Sequence, residues 1–408
     1  MSTAVETREL VKTFGTDIHA VRGVDIRVEA GELMVLVGPS GCGKTTTLRM
    51  IAGLERVTSG EIYVGDQLVN SVHPSKRGVA LVFQNFALYP HKTARDNMAF
   101  PLESSRVEKA EIRQRVDEVA EMLELTEHLD KRPGELSGGQ QQRVSLGRAI
   151  VRNPQVLLLD EPLSNLDARL RVVMRSELKR IQRAVGSTAI YVTHDQVEAM
   201  TMGDRIVVMH EGLVAQIGTP QEVYLTPANV PVARTIGSPA MNLLRATPRV
   251  RDGEVALEGS GWSMTVDGAG GEHLAAGLRE HGGGDVVVGV RPDDLDFRDA
   301  AAGSDESLAG VTCVTAEPLG AQTLYNVDLA GTLVQLLRGD THVMLSEGSN
   351  ADLVVGDEGR VHVFDHDSGD RVGGVQRVTD DGRARWEPFT TARRAGSVEE
   401  VASTVEPS

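Results

Sequence analysis

Gly38-Pro39-Ser40-Gly41-Cys42-Gly43-Lys44-Thr45 stands directly behind the apolar run Leu33-Met34-Val35-Leu36-Val37 and ahead of the helical pattern Thr46–Ala52. A strand feeding a glycine-rich loop that opens a helix is the context in which G-x-x-x-x-G-K-T holds phosphate. The bare pattern can arise as a chance glycine turn; the flanks on both sides argue for a phosphate-binding loop. Its glycines let backbone N–H groups turn inward, and the helix start adds partial positive charge. Lys44 is placed to reach the β- and γ-phosphates, and the Thr45 hydroxyl to sit on Mg²⁺. The candidate nucleotide contacts are Gly38, Ser40, Gly41, Cys42, Gly43, Lys44, Thr45 and Thr46. Cys42 reads as a small residue that fits the loop, although a thiol beside a helix start can also have a lowered pKa.

This loop belongs to a longer alternation of apolar runs and helical patterns, the texture of a parallel α/β protein. Val79–Phe83, Val156–Leu159, Ala189–Thr193 and Ile206–Met209 read, like Leu33–Val37, as strands buried on both faces. Between the second and third strands, Ile112, Val116, Val119, Ala120 and Leu123 recur at helical spacing. That predicts an inserted helical subdomain over roughly 85–152. Beyond about Pro239, short β-like runs such as Trp262–Val266, Val286–Val290 and Thr323–Leu329 suggest a small barrel or sandwich. The segments 268–284 and 300–308, rich in glycine or alanine, read as loops, and the polar stretch from His366 as a mobile tail. The expected domains are therefore 1–236, 237–365 and a 366–408 tail.

Ligands of open α/β sheets collect at the carboxyl ends of the strands. Asp160 and Glu161 follow Val156–Leu159 directly. Asp160 there can hold Mg²⁺, directly or through water, and Glu161 can take a proton from an attacking water. By itself such a pair is as often a turn or a helix cap; beside the phosphate loop it gains weight. Gln84 and His194 end two further strands. Gln84 could touch Mg²⁺ or the attacking water, and His194 could donate to the γ-phosphate. Asp195, with Glu198 three residues on, reads as a capping box and so as structural.

The formal charge of −16 argues against a broad nucleic-acid footprint, which needs clustered Lys and Arg. Only Cys42 and Cys313 are present, so a disulfide framework is not expected and a reducing cytoplasm is the economical setting. No run of eighteen apolar residues occurs, and the first residues have no secretory pattern, so neither a membrane span nor a signal is expected.

With Leu136-Ser137-Gly138-Gly139-Gln140, Ser164-Asn165-Leu166-Asp167 and His194 added, the chain resembles the ATP-binding subunits of ABC transporters. Gln84–His91, Tyr191–Met200 and Gly237–Asn242 make it similar to the maltose-type group serving carbohydrate importers, over about Thr7 to Leu244. Gly289-Val290-Arg291-Pro292-Asp293 resembles that group's oligonucleotide-binding-like β domain, more loosely. The resemblance implies a P-loop ABC cassette, α/β in class, with an inserted helical subdomain and a C-terminal OB-like barrel. It implies that Phe14 stacks on adenine, though many relatives carry Tyr or Trp there. Ser137, Gly138, Gly139 and Gln140 are then the signature that contacts the γ-phosphate of ATP held by a second copy, and Asp167 crosses the same dimer interface. A hydroxyl and two side-chain-free amides at a helix start suit that anion.

The resemblance further implies an ATPase using ATP and Mg²⁺, with Glu161, His194 and Gln84 catalytic and Thr45, Asp160 and Gln84 at the metal. It would work as a head-to-tail dimer on the cytoplasmic face of the membrane. Two permease subunits would dock near Asn85–His91, and an extracytoplasmic solute-binding protein would act indirectly. Uptake of a carbohydrate is the expected outcome, with polyamine, ferric iron or sulfate as alternative cargoes. A soluble ATPase of DNA repair or translation is the other class; one cassette and no heptad run speak against it.

Overall fold

The computed structural model describes residues 2–298, 308–339, 345–380 and 383–389. It divides into two compact units, Met1–Gln221 and Glu222–Ser408.

The first unit is built on a six-stranded sheet in the order Leu213–Gly218, Arg205–His210, Leu33–Val37, Thr188–Thr193, Val156–Asp160, Val79–Val82. Five strands run parallel and the Leu213–Gly218 edge runs antiparallel. The runs Leu33–Val37, Val156–Asp160 and Thr188–Thr193 are buried throughout. That is why they carry no polar alternation: each faces structure on both sides. Parallel direction brings the ends of four strands, and so Gly38, Phe83-Gln84, Glu161 and His194, to one edge. A separate antiparallel sheet, ordered Ile18–Val28, Val5–Phe14, Ser59–Val64, Gln67–Leu68, packs its Val5, Leu10, Ile26 and Ile62 with Met34, Leu36, Leu48 and Ile51 in one core.

The inserted subdomain contains the helices Ala94–Ser104, Lys109–Met122 and Gly138–Ile150. Thr93 and Asp96 close a reciprocal capping box at the first. Ile112, Val116, Ala120 and Leu123 are buried, while Val119 lies at the margin of that face and is half-buried.

The second unit joins a seven-stranded and a five-stranded sheet. Leu257, Val288 and Val363 of one share a core with Tyr325, Val334 and Leu353 of the other. This unit begins at Glu222, before the expected break at 236/237. Arg291 explains the difference. Buried to 1% exposure, it donates Nη1 to Ile236 O at 2.7 Å and Nη2 to Tyr224 O at 2.5 Å, and stacks on the Tyr224 ring at 3.7 Å. One buried cation thereby ties the 224–236 segment to the β domain.

Two sequence expectations need correction. Gly268–Glu280 is a helix, not a loop. Gly270, Leu274 and Leu278, with Gly271 and Ala275, form its buried face. A Cβ on Gly271 would lie 2.5 Å from both Gly253 O and Val266 O, and one on Gly277 would lie 2.4 Å from Val372 O. The glycines are there for close approach of helix to sheet, which outweighs their poor helix propensity. The other expected loop lies mostly outside the described residues, although Leu308 is described and buried.

The segment from His366 is not a tail as far as Phe389. Arg371–Asp380 and Arg383–Pro388 form the last two strands of the seven-stranded sheet, and Val372, Val375 and Arg377 are buried. A chain ending at Asp365 therefore loses Val372, Val375 and half-buried Trp386 from the core. The expected cost is roughly 4–8 kcal/mol, at about 1.5–3 kcal/mol for each buried valine and about half that for the half-buried Trp386. That is a large part of the stability of an ordinary domain. Thermal unfolding checks it: the truncated second unit should melt well below the full chain, and an unchanged transition would show these strands to be dispensable.

Candidate functional site

The phosphate loop is shaped by two glycines that no other residue could replace. Gly38 has φ +156° and Gly43 φ +102°. A Cβ on Gly38 would lie 2.2 Å from Met209 O, and one on Gly43 would lie 2.4 Å from Ala20 O. Gly43 is also the N-cap of the helix Lys44–Ala52 and offers it no side-chain acceptor, so the first-turn N–H groups are left for an anion. Lys44, 5% exposed, holds its ammonium inside the loop, donating to Gly38 O at 2.7 Å and Pro39 O at 2.9 Å.

Thr45, one residue into the helix, donates its hydroxyl to Asp160 Oδ1 at 2.9 Å. Burial pushes the Asp160 carboxyl above its ordinary value, against the opposing effects of the Thr45 hydrogen bond and the Arg49 charge. Arg49 Nη2 lies 3.8 Å from Asp160 Oδ2. Spacing alone did not mark this arginine, although Thr45 and Arg49, four apart on a helix, share one face. A hydroxyl and a buried carboxylate side by side are hard oxygen donors of the kind Mg²⁺ takes. A divalent cation there would also offset the desolvation of Asp160.

Glu161 turns out of the strand with φ +45°, uncommon for a residue with a Cβ, and its N–H is held by Val192 O at 3.0 Å. Its Oε2 lies 3.3 Å from the donor Gln84 Nε2 and 3.1 Å from His194 Nδ1. Three residues from three strand ends thus meet at one carboxylate oxygen. Gln84 lies on Glu161; its backbone O accepts from Asn165 Nδ2 at 2.8 Å, a second contact that no spacing rule disclosed. The His194 turn is braced from below. Tyr191 and Thr193 both donate to the buried Glu198 Oε2, at 2.8 and 2.6 Å, and Asp195 caps the next helix at Val197 N and Glu198 N.

The second glycine-rich segment opens the helix Gly138–Ile150. Ser137 Oγ accepts from Gln140 N at 3.4 Å, and Gln140 Oε1 accepts in return from Ser137 N at 3.0 Å. Gln140 Nε2 lies 2.9 Å from His128 Nε2. A Cβ on Gly138 would touch Leu166 at 3.3 Å, and one on Gly139 would touch Leu170 at 3.0 Å. These hydrogen bonds stay within the helical subdomain and do not reach the phosphate loop of the same chain. Asp167 Oδ1 accepts from Leu170 N at 2.8 Å and so caps its own helix, Ala168–Val185. Phe14, 38% exposed, ends the first strand with the Lys12 ammonium 4.6 Å from its ring centre.

Residues 21–164 match the family model described as ABC transporter, and 237–295 match the MalK OB fold domain. The chain is 50% identical over 369 residues to the trehalose/maltose import ATP-binding protein MalK of Thermococcus litoralis, covering 88% of this chain and 96% of the relative. It belongs to the ABC transporter ATP-binding family. The sn-glycerol-3-phosphate import ATP-binding protein UgpC of Cupriavidus pinatubonensis is 46% identical, covering 90% and 98% of the two chains. The sulfoquinovosyl glycerol transport ATP-binding protein SmoE of Agrobacterium fabrum is 47% identical, covering 89% and 97%.

In this ABC ATPase the substrate is ATP and the cofactor Mg²⁺, which when bound neutralises charge on the phosphates. Glu161 Oε2 is faced by the Gln84 amide and the His194 imidazole at this edge. Among the described residues no helix is long and apolar enough to cross a membrane. Cys42 and Cys313 are both free and buried.

Proposed function

We propose that this chain is the ATP-hydrolysing subunit of an importer for a carbohydrate or a glycerol derivative. It works as a head-to-tail dimer beneath two permease subunits, peripheral to the cytoplasmic face of the membrane, and an extracytoplasmic binding protein delivers the solute. The observation that carries this reading is similarity along nearly the whole chain to proteins named for import or transport of trehalose/maltose, sn-glycerol-3-phosphate and sulfoquinovosyl glycerol. All are small, hydroxyl-rich solutes.

Each residue role rests on its place. Gly38 to Thr46 cradle the triphosphate, with the Lys44 ammonium on its outer phosphates. Thr45 and Asp160 hold Mg²⁺, with Gln84 at its margin. Glu161 takes the proton of the attacking water, His194 orients the γ-phosphate, and Phe14 stacks on adenine. Ser137, Gly138, Gly139 and Gln140 serve the ATP of the second copy, which accounts for a helix start suited to an anion but bonded only within its own subdomain. Asp167, capping the helix beside that signature, lies at the same interface. Permease docking is supported by a groove of about 640 Å³ lined by Leu54, Leu81, Phe83, Ala87, Tyr89 and Phe100 among others. Two of these belong to the expected 85–91 segment.

Uptake in cells lacking this subunit tests the cargo. Entry of labelled maltose, trehalose or a glycerol phosphate should stop, while polyamine, ferric iron and sulfate enter as before. The opposite pattern would overturn the assignment.

A further inference from the structure

Directly after Gln84 the backbone does something costly. Phe86 has φ +59° and Ala87 φ +47°, two consecutive left-handed residues that both carry a Cβ. That conformation is strained for any residue with a Cβ, so something must hold it. Local bonds are few: Phe86 N donates to Phe83 O at 3.1 Å and Ala87 N to Asn85 O at 2.6 Å. The rest of the hold comes from the far end of the helix Gly138–Ile150. Arg148 donates Nη1 to Ala87 O at 2.6 Å and Nη2 to Phe86 O at 2.9 Å, and Ser145 Oγ donates to Phe86 O at 2.9 Å. Among the described residues no carboxylate pairs with Arg148. Its charge is spent on two backbone carbonyls, with the Tyr89 ring 5.8 Å from its Cζ.

We propose that Arg148 is a positioning residue for Gln84, a clamp that keeps the strained 86–87 turn closed and thereby holds the Gln84 amide against Glu161. The proposal rests on the reading that Gln84 takes part in hydrolysis. A guanidinium suits the task because its planar fork bonds two adjacent carbonyls at once, which an ammonium cannot do with the same geometry. The same residue joins two other features. It stands about 16 Å along one helix from Ser137, at 1.5 Å per residue. With Ala87 and Tyr89, it also lines the groove assigned above to the permease. Occupation of that groove would thus bear on the clamp, and through it on the carboxylate that activates water.

The test is a double-mutant cycle on the purified full chain, read as kcat and KM for ATP and accompanied by a melting curve. Arg148→Met keeps the apolar stem and removes the fork. It should lower kcat roughly 10- to 100-fold, the scale set by misplacing a reacting group by an ångström. KM for ATP should stay within about twofold. In a Gln84→Ala background the same substitution should change kcat by less than about twofold, because the residue it positions is gone. Should Arg148→Met fail to fold, Arg148→Lys, which can satisfy one carbonyl, takes its place in the cycle with a loss of about fivefold expected. Wild-type turnover in the folded Arg148 variant, or a loss equally large with and without Gln84, overturns the proposal. If Gln84→Ala alone has no effect, the assignment of Gln84 to the reaction fails and this proposal with it. If Gln84→Ala is severe and the two losses simply multiply, only the role of Arg148 fails.

Discussion

Glu161→Gln is expected to retain ATP binding while hydrolysis slows by roughly 10²–10⁴-fold, the usual worth of a general base. The amide matches the carboxylate in size, so the contacts that hold position 161 should survive: its N–H to Val192 O at 3.0 Å and its nearness to Gln84 and His194. What is lost is the capacity to take a proton. The Thr45–Asp160 pair and the phosphate loop are untouched by the change, which is why affinity and chemistry should separate. Single-turnover hydrolysis alongside nucleotide binding reads the two apart. Near-normal turnover would remove Glu161 from the reaction.

Gly139→Asp is expected to abolish ATP-driven dimerisation and to lower ATPase activity at least about 100-fold. A carboxylate would stand where the partner's γ-phosphate belongs, and like charges so placed cost several kcal/mol, at 1.4 kcal/mol per tenfold. Crowding must be separated from charge, because any Cβ at this position meets Leu170 at 3.0 Å. Gly139→Ala carries the crowding alone. Leu170 is a flexible side chain that can give way, so the alanine variant should keep a substantial share of both dimer and activity. Light scattering with ATP on the Glu161→Gln background, where hydrolysis cannot dissolve the dimer, measures this directly. If the aspartate variant still pairs on ATP, Gly139 does not face a nucleotide across an interface.

Much of the first unit is legible in the chain alone, and for one physical reason. A parallel strand covered on both faces must be apolar throughout, so Leu33–Val37, Val156–Leu159 and Ala189–Thr193 announce themselves. The residues just beyond each such run then fall at the ligand-binding edge, so Gly38, the pair Asp160-Glu161 and His194 stand out by position alone. The helical subdomain is readable too, because Ile112, Val116 and Ala120 bury one face of a single helix.

Legibility ends where burial depends on partners distant in sequence. The helix Gly268–Glu280 looks like a loop because its glycines answer to the carbonyls of Gly253, Val266 and Val372. The strands Arg371–Asp380 and Arg383–Pro388 look like a tail because one lies at the sheet edge and few of their side chains are apolar. Arg49 on Asp160, Asn165 on the Gln84 carbonyl and Arg148 on the 86–87 turn belong to the same class. Periodicity and motif spacing are properties of contiguous chain, and they determined the nucleotide loop, the strand-end acids and the α/β class. Which distant donor satisfies a given carbonyl or carboxylate was decided only by tertiary packing, since a hydrogen bond requires two groups within about 3 Å whatever the length of chain between them.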